Sequence, residues 1–295
     1  MSKSPVFSGS SVAIVTPFRN GKVDYTKLSE LIDFQIANGT SAIVVCGTTG
    51  ESSTQSLEEH TATVDYCVKY VNSRVKVIAG TGSNDTQDAL FLSQEAEKSG
   101  ADALLIVTPY YNKTTQPGLV KHYNFIADRV NTPIILYNVP SRTGMSFTAG
   151  TYKELSRHPN INGVKEASSN FALIAATLYS CGDDLFVWSG NDDEVVPMMS
   201  IGAKGVISTI ANVVPATVAE MTKFALEGDF KSAAEIQLKY LDLIGSIFIE
   251  VNPIPVKAAM NLMGLDVGLP RLPLCEISAE NLEKLKQSMS AVGLI

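Results

Sequence analysis

The sequence predicts an α/β protein built as a (β/α)8 barrel, the TIM barrel, with a C-terminal helical extension. Short apolar runs alternate with stretches whose apolar residues recur at helical spacing, and this alternation repeats eight times. Eight strands, each followed by a helix, are the number that a closed parallel barrel needs. No further strand pattern occurs from about residue 229 onward, so we divide the chain into a barrel at 1–228 and a helical region at 229–295.

The predicted strands follow one another with a helical pattern after each. The first is the apolar run SSVAIVTPF, which ends at a Thr-Pro pair. The segment SLEE at 56–59 has the pattern of a capping box, and Gly100 is placed to end the helix at 86–99. The eight predicted strands are 10–18, 42–46, 76–79, 103–107, 134–136, 161–164, 185–188 and 205–208.

Composition and charge narrow the class of protein. The 295 residues are 45% hydrophobic and 18% charged, which is typical of a globular chain with a large core. The formal net charge is -7 and no Lys/Arg-rich run occurs, so we expect no nucleic-acid partner. The sequence shows neither a signal-peptide pattern nor an apolar run of membrane-spanning length. We therefore expect a cytoplasmic protein without a membrane partner.

The motifs do not indicate a metal or nucleotide site. The four cysteines are widely spaced, so we expect free thiols. The three histidines lack the spacing of metal ligands, and we predict no metal site. The glycines at 47–50 and 80–82 complete neither nucleotide-binding fingerprint.

Lys165 follows directly on a predicted interior strand, where lysine is rare. Side chains alternate between the two faces of a strand, so Gly163 and Lys165 share one face and Val164 takes the other. If Val164 packs on the outer layer, Lys165 points into the barrel over the room left by Gly163. Desolvation there disfavours the ammonium and favours an amine that attacks carbonyl groups. The alternative is a lysine that reaches solvent or pairs with Glu166.

Polar residues also follow other predicted strands at their C-terminal ends, where barrels place catalytic groups. Taken singly, each has a structural alternative: a glycine-flanked turn, a packing aromatic or a surface charge. Taken together, they converge with Lys165 on one mouth of the barrel. They are Thr48, Thr49, Tyr111, Tyr137, Arg142 and Asn191.

This set of residues suits Schiff-base chemistry. A neutral lysine attacks a ketone or aldehyde to give a protonated imine, from which an enamine forms, as in class I aldolases and lyases. Tyr137 is the candidate proton shuttle, acting through Thr49 and Tyr111. The GTTG turn at 47–50 offers backbone N–H groups and hydroxyls to the carboxylate of a small α-keto acid.

The motifs GTTGES, VTPYYN, YNVPSRT, VKEAS, SGND, VIS and NPIPVK occur in this order. Through them the whole chain resembles the pyruvate-dependent lyase superfamily and, within it, the 4-hydroxy-tetrahydrodipicolinate synthase (dihydrodipicolinate synthase) family. The resemblance implies condensation of pyruvate with L-aspartate 4-semialdehyde, on the diaminopimelate route to lysine. It also implies a homotetramer built as a dimer of dimers, and no cofactor beyond the covalent Schiff base with pyruvate.

The resemblance implies a role for each matched residue. Lys165 would form the Schiff base and Tyr137 would donate and accept protons. Thr49 would complete the relay together with Tyr111, which would reach into the site of a neighbouring subunit. Asn191 stands where the family often has aspartate and receives no role. The implied substrate-binding residues are Thr48 and Thr49 for the pyruvate carboxylate, Arg142 for the semialdehyde carboxylate and Ile207 for the pocket wall.

Arg142 favours this family over its relatives. N-acetylneuraminate lyases and 2-keto-3-deoxy-sugar-acid aldolases share the turn, the tyrosine and the lysine, but they generally lack an arginine in YNVPSR. A planar guanidinium is suited to a carboxylate. We keep these aldolases as the second interpretation. A non-catalytic pyruvate-binding protein is the third, and it would not need a nucleophile.

L-lysine is the inhibitor that the resemblance implies, bound between paired subunits. The matching positions are only partly kept, because Asp88 stands where lysine-sensitive members commonly have glutamate and Leu57 where some have histidine. A shorter carboxylate holds an ammonium less directly, so we expect weakened inhibition. The alternative is a set of polar helix positions without a ligand. The matching set is Ser52, Ser53, His60, Asn84, Asp88 and Tyr110.

Overall fold

Eight parallel strands close into a barrel in the computed structural model, which describes residues 3–295. Strand β1 (Gly9–Ala13) pairs with β4 (Ala42–Val45) on one side and with β10 (Gly205–Ser208) on the other, and this closes the sheet. The predicted TIM barrel is confirmed. The remaining barrel strands, in order, are β5 (Lys76–Gly80), β6 (Ala103–Val107), β7 (Ile134–Asn138), β8 (Ile161–Glu166) and β9 (Phe186–Ser189).

The first strand is shorter than the predicted 10–18. It ends at Ala13, and a separate two-residue hairpin follows, formed by β2 (Phe18–Arg19) and β3 (Lys22–Val23). Beyond the strand, the N–H of Val15 binds the side chain of Asn212 rather than a neighbouring strand. Pro17 then offers no N–H to a ladder, so the extended run cannot continue as sheet.

Helices cover the outside of the barrel, and side-chain caps begin most of them. Ser56 accepts a hydrogen bond from the N–H of Glu59, as predicted, but the Glu59 carboxylate binds Arg271 instead of returning to the cap. Gly100 ends its helix in the left-handed conformation, as predicted. The barrel helices are α1 (Tyr25–Ala37), α2 (Leu57–Val71), α3 (Thr86–Ser99), α4 (Gln116–Ala127), α5 (Pro140–Thr143), α6 (Ala149–Leu155), α7 (Phe171–Cys181), α8 (Val195–Ser200) and α9 (Pro215–Leu226).

Four more helices follow the barrel and return toward its mouth. The first packs on α8 and α9, and the third contacts the short turn after β10. The C-terminal chain therefore reaches the end of the barrel where the strands finish. These helices are α10 (Phe230–Lys239), α11 (Leu241–Ile247), α12 (Ile254–Leu262) and α13 (Ala279–Ala291).

The strands separate two apolar cores, one inside the barrel and one beneath the helices. On β8, Val164 packs in the outer core, as predicted, while Gly163 faces inward. A Cβ at Gly163 would lie 2.4 Å from the ring of Trp188, so this indole fills the room that the glycine leaves. Trp188 stacks on Phe7 with ring centres 5.1 Å apart. The barrel interior is thereby closed on the side where Phe7 precedes β1.

All four cysteines are free: Cys46, Cys67 and Cys181 are buried and Cys275 is exposed. The prediction of free thiols is confirmed. Within residues 3–295, every helix is too short or too polar to cross a membrane.

Candidate active site

Lys165 lies near the C-terminal end of β8 with 6% of its surface exposed. The parallel register places it beside Tyr137 of β7, and its Nζ is 4.5 Å from the centre of the tyrosine ring. The side-chain nitrogen of Lys165 therefore packs against the face of this aromatic ring inside the barrel. The alternative in which Lys165 extends into solvent is wrong.

Glu166, the next residue, faces the outer layer. Its carboxylate accepts hydrogen bonds from Asn138 Nδ2 at 2.9 Å, from the Tyr152 hydroxyl at 2.8 Å and from the Ser168 N–H at 2.9 Å. Burial raises the pKa of the Glu166 carboxyl, and these hydrogen bonds oppose the rise. The alternative in which Glu166 pairs with Lys165 is wrong, because alternation along the strand puts the two side chains on opposite faces.

A cavity of about 140 Å³ lies at the mouth of the barrel beside Lys165. This volume suits a molecule of a few heavy atoms, and the cavity is formed where several strands end. The structure brings six of the residues singled out from the sequence together here, and Asn252, which was not singled out, joins them. The six are Thr48, Thr49, Tyr137, Arg142, Lys165 and Asn191.

A sharp turn after β4 carries Thr48 and Thr49 into the cavity. The turn begins at Cys46, whose φ of 54° is left-handed. It approaches the neighbouring strand closely, because a Cβ at Gly80 would lie 2.3 Å from the carbonyl oxygen of Cys46. Thr49 is buried, and its Oγ1 accepts a hydrogen bond from Asn252 Nδ2 at 2.9 Å. The hydroxyl groups of Thr48 and Thr49 therefore lie in a turn that is held in place by the neighbouring strand and by Asn252.

Arg142 stands at the rim of the cavity on the short helix α5, which follows β7 directly. Its Nη2 donates to the backbone carbonyl of Asn252 at 3.4 Å. The rest of the guanidinium is exposed, so it can meet a carboxylate at the entrance.

Two of the residues singled out from the sequence, Tyr111 and Ile207, lie outside the cavity, and Asn191 is engaged by its neighbours. Tyr111 is 92% exposed, with a left-handed φ of 68°, and it projects from the surface instead of lining the cavity. Ile207 is fully buried in the inner core, where it pairs with Ser11 of β1. Asn191 does line the cavity, but its amide donates to Ser169 and Glu194.

A second cavity of about 330 Å³ lies beside the first and shares Thr48 and Arg142 with it. Nε2 of its His60 donates to the backbone carbonyl of Gly80 at 2.8 Å, and burial lowers the pKa of this imidazole. Asn84 belongs to a neighbouring cavity instead. The other five positions of the predicted L-lysine set line the second cavity: Ser52, Ser53, His60, Asp88 and Tyr110.

The chain is similar to known proteins over nearly its whole length. A family model described as the dihydrodipicolinate synthetase family matches residues 6–292. The chain belongs to this family. A relative from Acetivibrio thermocellus named 4-hydroxy-tetrahydrodipicolinate synthase is 51% identical over 293 residues, which are 99% of this chain and 100% of the relative.

Solved structures of the dihydrodipicolinate synthetase family have the same fold. The dihydrodipicolinate synthase of Aquifex aeolicus superposes with a TM-score of 0.96 at 47% identity, covering 98% of this chain and 99% of that one. The enzyme of Cyanidioschyzon merolae with lysine bound gives a TM-score of 0.96 at 37% identity, covering 99% of this chain and 100% of that one.

The residues that sequence reasoning missed lie in the NPIPVK segment. Asn252 reaches Thr49, and Lys257 forms a buried ion pair with Glu51 in the same turn. From the sequence we used this segment only as one of the motifs that carry the resemblance. One signal was available, since a lysine within the apolar run IPVKAAM needs a buried partner.

Proposed function

We propose that this protein catalyses the condensation of pyruvate with L-aspartate 4-semialdehyde to give 4-hydroxy-tetrahydrodipicolinate, a step of lysine and diaminopimelate biosynthesis. The observation that carries the proposal is the buried Lys165 against Tyr137, with Arg142 at the rim of the same cavity. The relative from Acetivibrio thermocellus, which matches this chain over its full length, is named for this activity. We also propose a cytoplasmic location.

Lys165 supplies the covalent chemistry. Its amine attacks C2 of pyruvate, and the resulting carbinolamine loses water to give a protonated imine. Loss of a methyl proton gives an enamine, whose carbon attacks the aldehyde carbon of the semialdehyde. The amino group of that substrate then attacks the imine carbon, closes the ring and releases Lys165. One water leaves overall, and the imine itself is the electron sink, so no further cofactor enters.

Tyr137 moves the protons in this proposal. It lies beside Lys165, so its phenol can protonate the departing hydroxyl and its phenolate can then take the methyl proton. Thr49 supports this exchange by hydrogen bonding, and Tyr111 of a neighbouring subunit completes the relay. Such general acid and base catalysis contributes roughly 10²-fold to 10⁴-fold in rate.

Two groups hold the carboxylates of the substrates. The turn with Thr48 and Thr49 receives the pyruvate carboxylate through hydroxyls and backbone N–H groups. Arg142 receives the carboxylate of the semialdehyde at the rim, where a guanidinium binds with two parallel hydrogen bonds. Ile207 supports the site from the inner core. Arg142 is also the reason to prefer this activity to that of a sugar-acid aldolase.

We further propose that the enzyme binds L-lysine in the second cavity. The carboxylate of Asp88 would face the ammonium group of the ligand, and His60 and Tyr110 would supply polar contacts. The relative from Cyanidioschyzon merolae, solved with lysine bound, supports this proposal. Because Thr48 and Arg142 border both cavities, a ligand in one can affect the other.

We propose a homotetramer built as a dimer of dimers. Tyr111 projects from the surface beside the mouth of the barrel, which suits a contact with one neighbour. Helix α7 has no charged residue, and its exposed face includes Phe171 and Tyr179, the latter 93% exposed. An apolar face of this kind suits a second contact. Sedimentation velocity measures the assembly, and a Tyr179→Asp variant should reduce the tetramer to dimers.

The proposed function is tested by trapping and by turnover. Pyruvate with borohydride should leave an irreversible adduct on Lys165, identified by peptide mass, and Lys165→Ala should lose both the adduct and turnover. The wild type should condense pyruvate with aspartate semialdehyde and leave N-acetylmannosamine unchanged. An adduct at another lysine would overturn the mechanism. Turnover of N-acetylmannosamine alone would overturn the substrate assignment in favour of the sugar-acid aldolases.

A further inference from the structure

Asn138 and Glu166 form a hydrogen-bonded pair between two neighbouring strands, directly beside the pair that we assign to catalysis. Asn138 ends β7 and Glu166 ends β8, and the two residues are partners in the register of the sheet. Asn138 Nδ2 donates to both carboxylate oxygens of Glu166, at 2.9 and 3.1 Å. Both residues are buried, so solvent does not compete for these hydrogen bonds.

The same two strands carry Tyr137 and Lys165 one residue earlier. These residues are also register partners, and the Lys165 nitrogen lies 4.5 Å from the centre of the Tyr137 ring. Side chains alternate along a strand, so this pair points into the barrel while the hydrogen-bonded pair points to the outer layer. The outer pair therefore joins the two strands at the place where the inner pair must meet.

The pairing of β7 with β8 is irregular before this place. Ile134 pairs with Ile161. The next residue of β7 pairs with Gly163, which lies two residues further along β8. This is the pattern of a bulge, in which one strand has an extra residue, so the ladder before the bulge does not by itself set the register beyond it. A slip of one residue would turn every later side chain of β8 to the opposite face.

We propose that Asn138 and Glu166 are positioning residues that hold Lys165 against Tyr137. The inference rests on the proposed function, in which Tyr137 protonates the carbinolamine hydroxyl, which leaves as water, and then takes a methyl proton from the imine on Lys165. Such transfers require hydrogen-bonding distance, directly or through one water. A displacement of about 1 Å can lower the rate of a catalytic step by roughly 10²-fold. Neither residue of the outer pair lines the catalytic cavity.

The carboxylate of Glu166 accepts hydrogen bonds from other elements as well. The Tyr152 hydroxyl donates to it at 2.8 Å and the N–H of Ser168 at 2.9 Å. Only the nitrogen of the Asn138 amide can donate to this carboxylate, so the orientation of the amide is fixed. The same nitrogen donates to Ser146 Oγ at 3.0 Å. The bonds to Tyr152 and Ser146 lead away from the two strands, so they can be removed without breaking the bond between β7 and β8.

The decisive variant is Asn138→Ala, which removes the side-chain bond between the strands. We expect kcat to fall roughly 10²-fold with little change in KM for pyruvate, because the turn that receives the pyruvate carboxylate follows another strand. Exchange of pyruvate methyl protons in D₂O, followed by NMR, should slow in parallel. Borohydride should still trap the imine on Lys165, since the amine itself is retained.

Two matched controls remove hydrogen bonds from the same network but keep the bond between the strands. Tyr152→Phe removes another donor to Glu166, and Ser146→Ala removes the other acceptor of Asn138. Both should keep the wild-type rate of methyl-proton exchange, even where stability to urea falls.

Glu166→Gln is the second test variant, because its amide nitrogen cannot accept from Asn138. It loses one of the two hydrogen bonds between the strands, so its exchange rate should fall between those of the wild type and Asn138→Ala. If Asn138→Ala does not fold, Glu166→Gln carries the test, with exchange slower than in both controls.

The results separate the inference from the proposed function. A wild-type exchange rate in Asn138→Ala, or in Glu166→Gln where that variant carries the test, would overturn the inference. Equal losses of exchange in the test variant and in the two controls would show a role in stability only, which also overturns it. A wild type that neither traps pyruvate nor exchanges its methyl protons would overturn the proposed function itself.

Discussion

The ammonium of Lys257 lies 2.5 Å from the carboxylate oxygen Oε1 of Glu51, and both side chains are 1% exposed. The other oxygen of Glu51 accepts the backbone N–H of Arg271 at 2.8 Å. Burial lowers the pKa of Lys257, and the charge of Glu51 opposes this. Because Glu51 lies two residues after Thr49, the C-terminal region holds the turn that carries Thr48 and Thr49 by charge as well as by the Asn252 hydrogen bond.

Removing one partner of this pair should destabilise the protein strongly. Lys257→Met leaves the Glu51 carboxylate buried without a counter-charge, and the free energy of unfolding should fall by about 3–5 kcal/mol in urea titrations. Adding Glu51→Gln should recover part of this loss, since no unpaired buried charge then remains. Additive losses in the double variant would mean that the two side chains act independently.

Tyr137→Phe separates proton transfer from packing, because it keeps the ring beside Lys165 and deletes only the hydroxyl. Turnover should fall by ~10²-fold or more, while KM for pyruvate changes little. Tyr179→Phe is the matched control, since this tyrosine is exposed on α7, and it should keep full kcat. A change confined to KM in Tyr137→Phe would assign the hydroxyl to binding alone.

Arg142→Ala should weaken the second substrate more than the first. The guanidinium is assigned only to the carboxylate of the semialdehyde, so kcat/KM for that substrate should fall. The fall should correspond to a loss of transition-state stabilisation on the order of 2–4 kcal/mol. KM for pyruvate should stay close to the wild-type value. Arg157→Ala, at an exposed position, is the control. Equal effects on both substrates would give Arg142 a structural role.

Binding of L-lysine should depend on Asp88. Calorimetric titration should detect L-lysine binding to the wild type and a loss of binding in Asp88→Ala, because in the proposed complex this carboxylate would face the ammonium of the ligand. Asp88→Glu should bind more tightly, since the added methylene extends its reach. Pyruvate and lysine affinities should then change each other by the same factor. A wild type that does not bind L-lysine removes the regulatory proposal.

His122 should make stability depend on pH. Burial lowers the pKa of this imidazole to about 4, although Asp85 opposes the shift. Nδ1 lies 2.9 Å from Thr86 Oγ1, while Nε2 is buried without a partner within residues 3–295. The unfolded chain takes up a proton near pH 6.5 and the folded chain near pH 4, so the stabilisation is complete above the first value and is lost as pH falls toward the second.

The size of this effect follows from the shift of the His122 pKa. Each unit corresponds to about 1.4 kcal/mol, so roughly 3 kcal/mol of unfolding free energy should be lost across this range. His122→Gln cannot titrate and should flatten the dependence measured by urea unfolding at successive pH values. An unchanged slope in that variant would assign the pH dependence to other groups.

Local patterns predicted the barrel and the inward position of Lys165, because both depend on neighbouring residues. Alternation along one strand placed Val164 outward and Lys165 inward, and strand order placed Tyr137 beside it. Contacts between distant segments were not predictable in this way. Nothing near Gly163 in the chain shows that Trp188 fills its space, and nothing near Thr49 shows that Asn252 binds it.

The other features of the site that the sequence did not predict depend on the arrangement of several strands or on a second chain. Ile207 was expected at the pocket wall, and the structure places it in the inner core, since side-chain depth depends on the register of all eight strands. The exposed position of Tyr111 has a function only if a second subunit covers it. Its role stays a prediction.

The contacts that Asn252 and Lys257 make with Thr49 and Glu51 have a consequence for synthesis of the protein. Thr49 and Glu51 are made early in translation, whereas Asn252 and Lys257 emerge from the ribosome after all eight strands. A nascent chain that has completed β10 contains every strand of the barrel but lacks Asn252 and Lys257. Contacts so far apart in sequence form late, because closing a long loop is entropically costly. The turn that carries Thr48 and Thr49 is therefore fixed only after the strands of the barrel have been made.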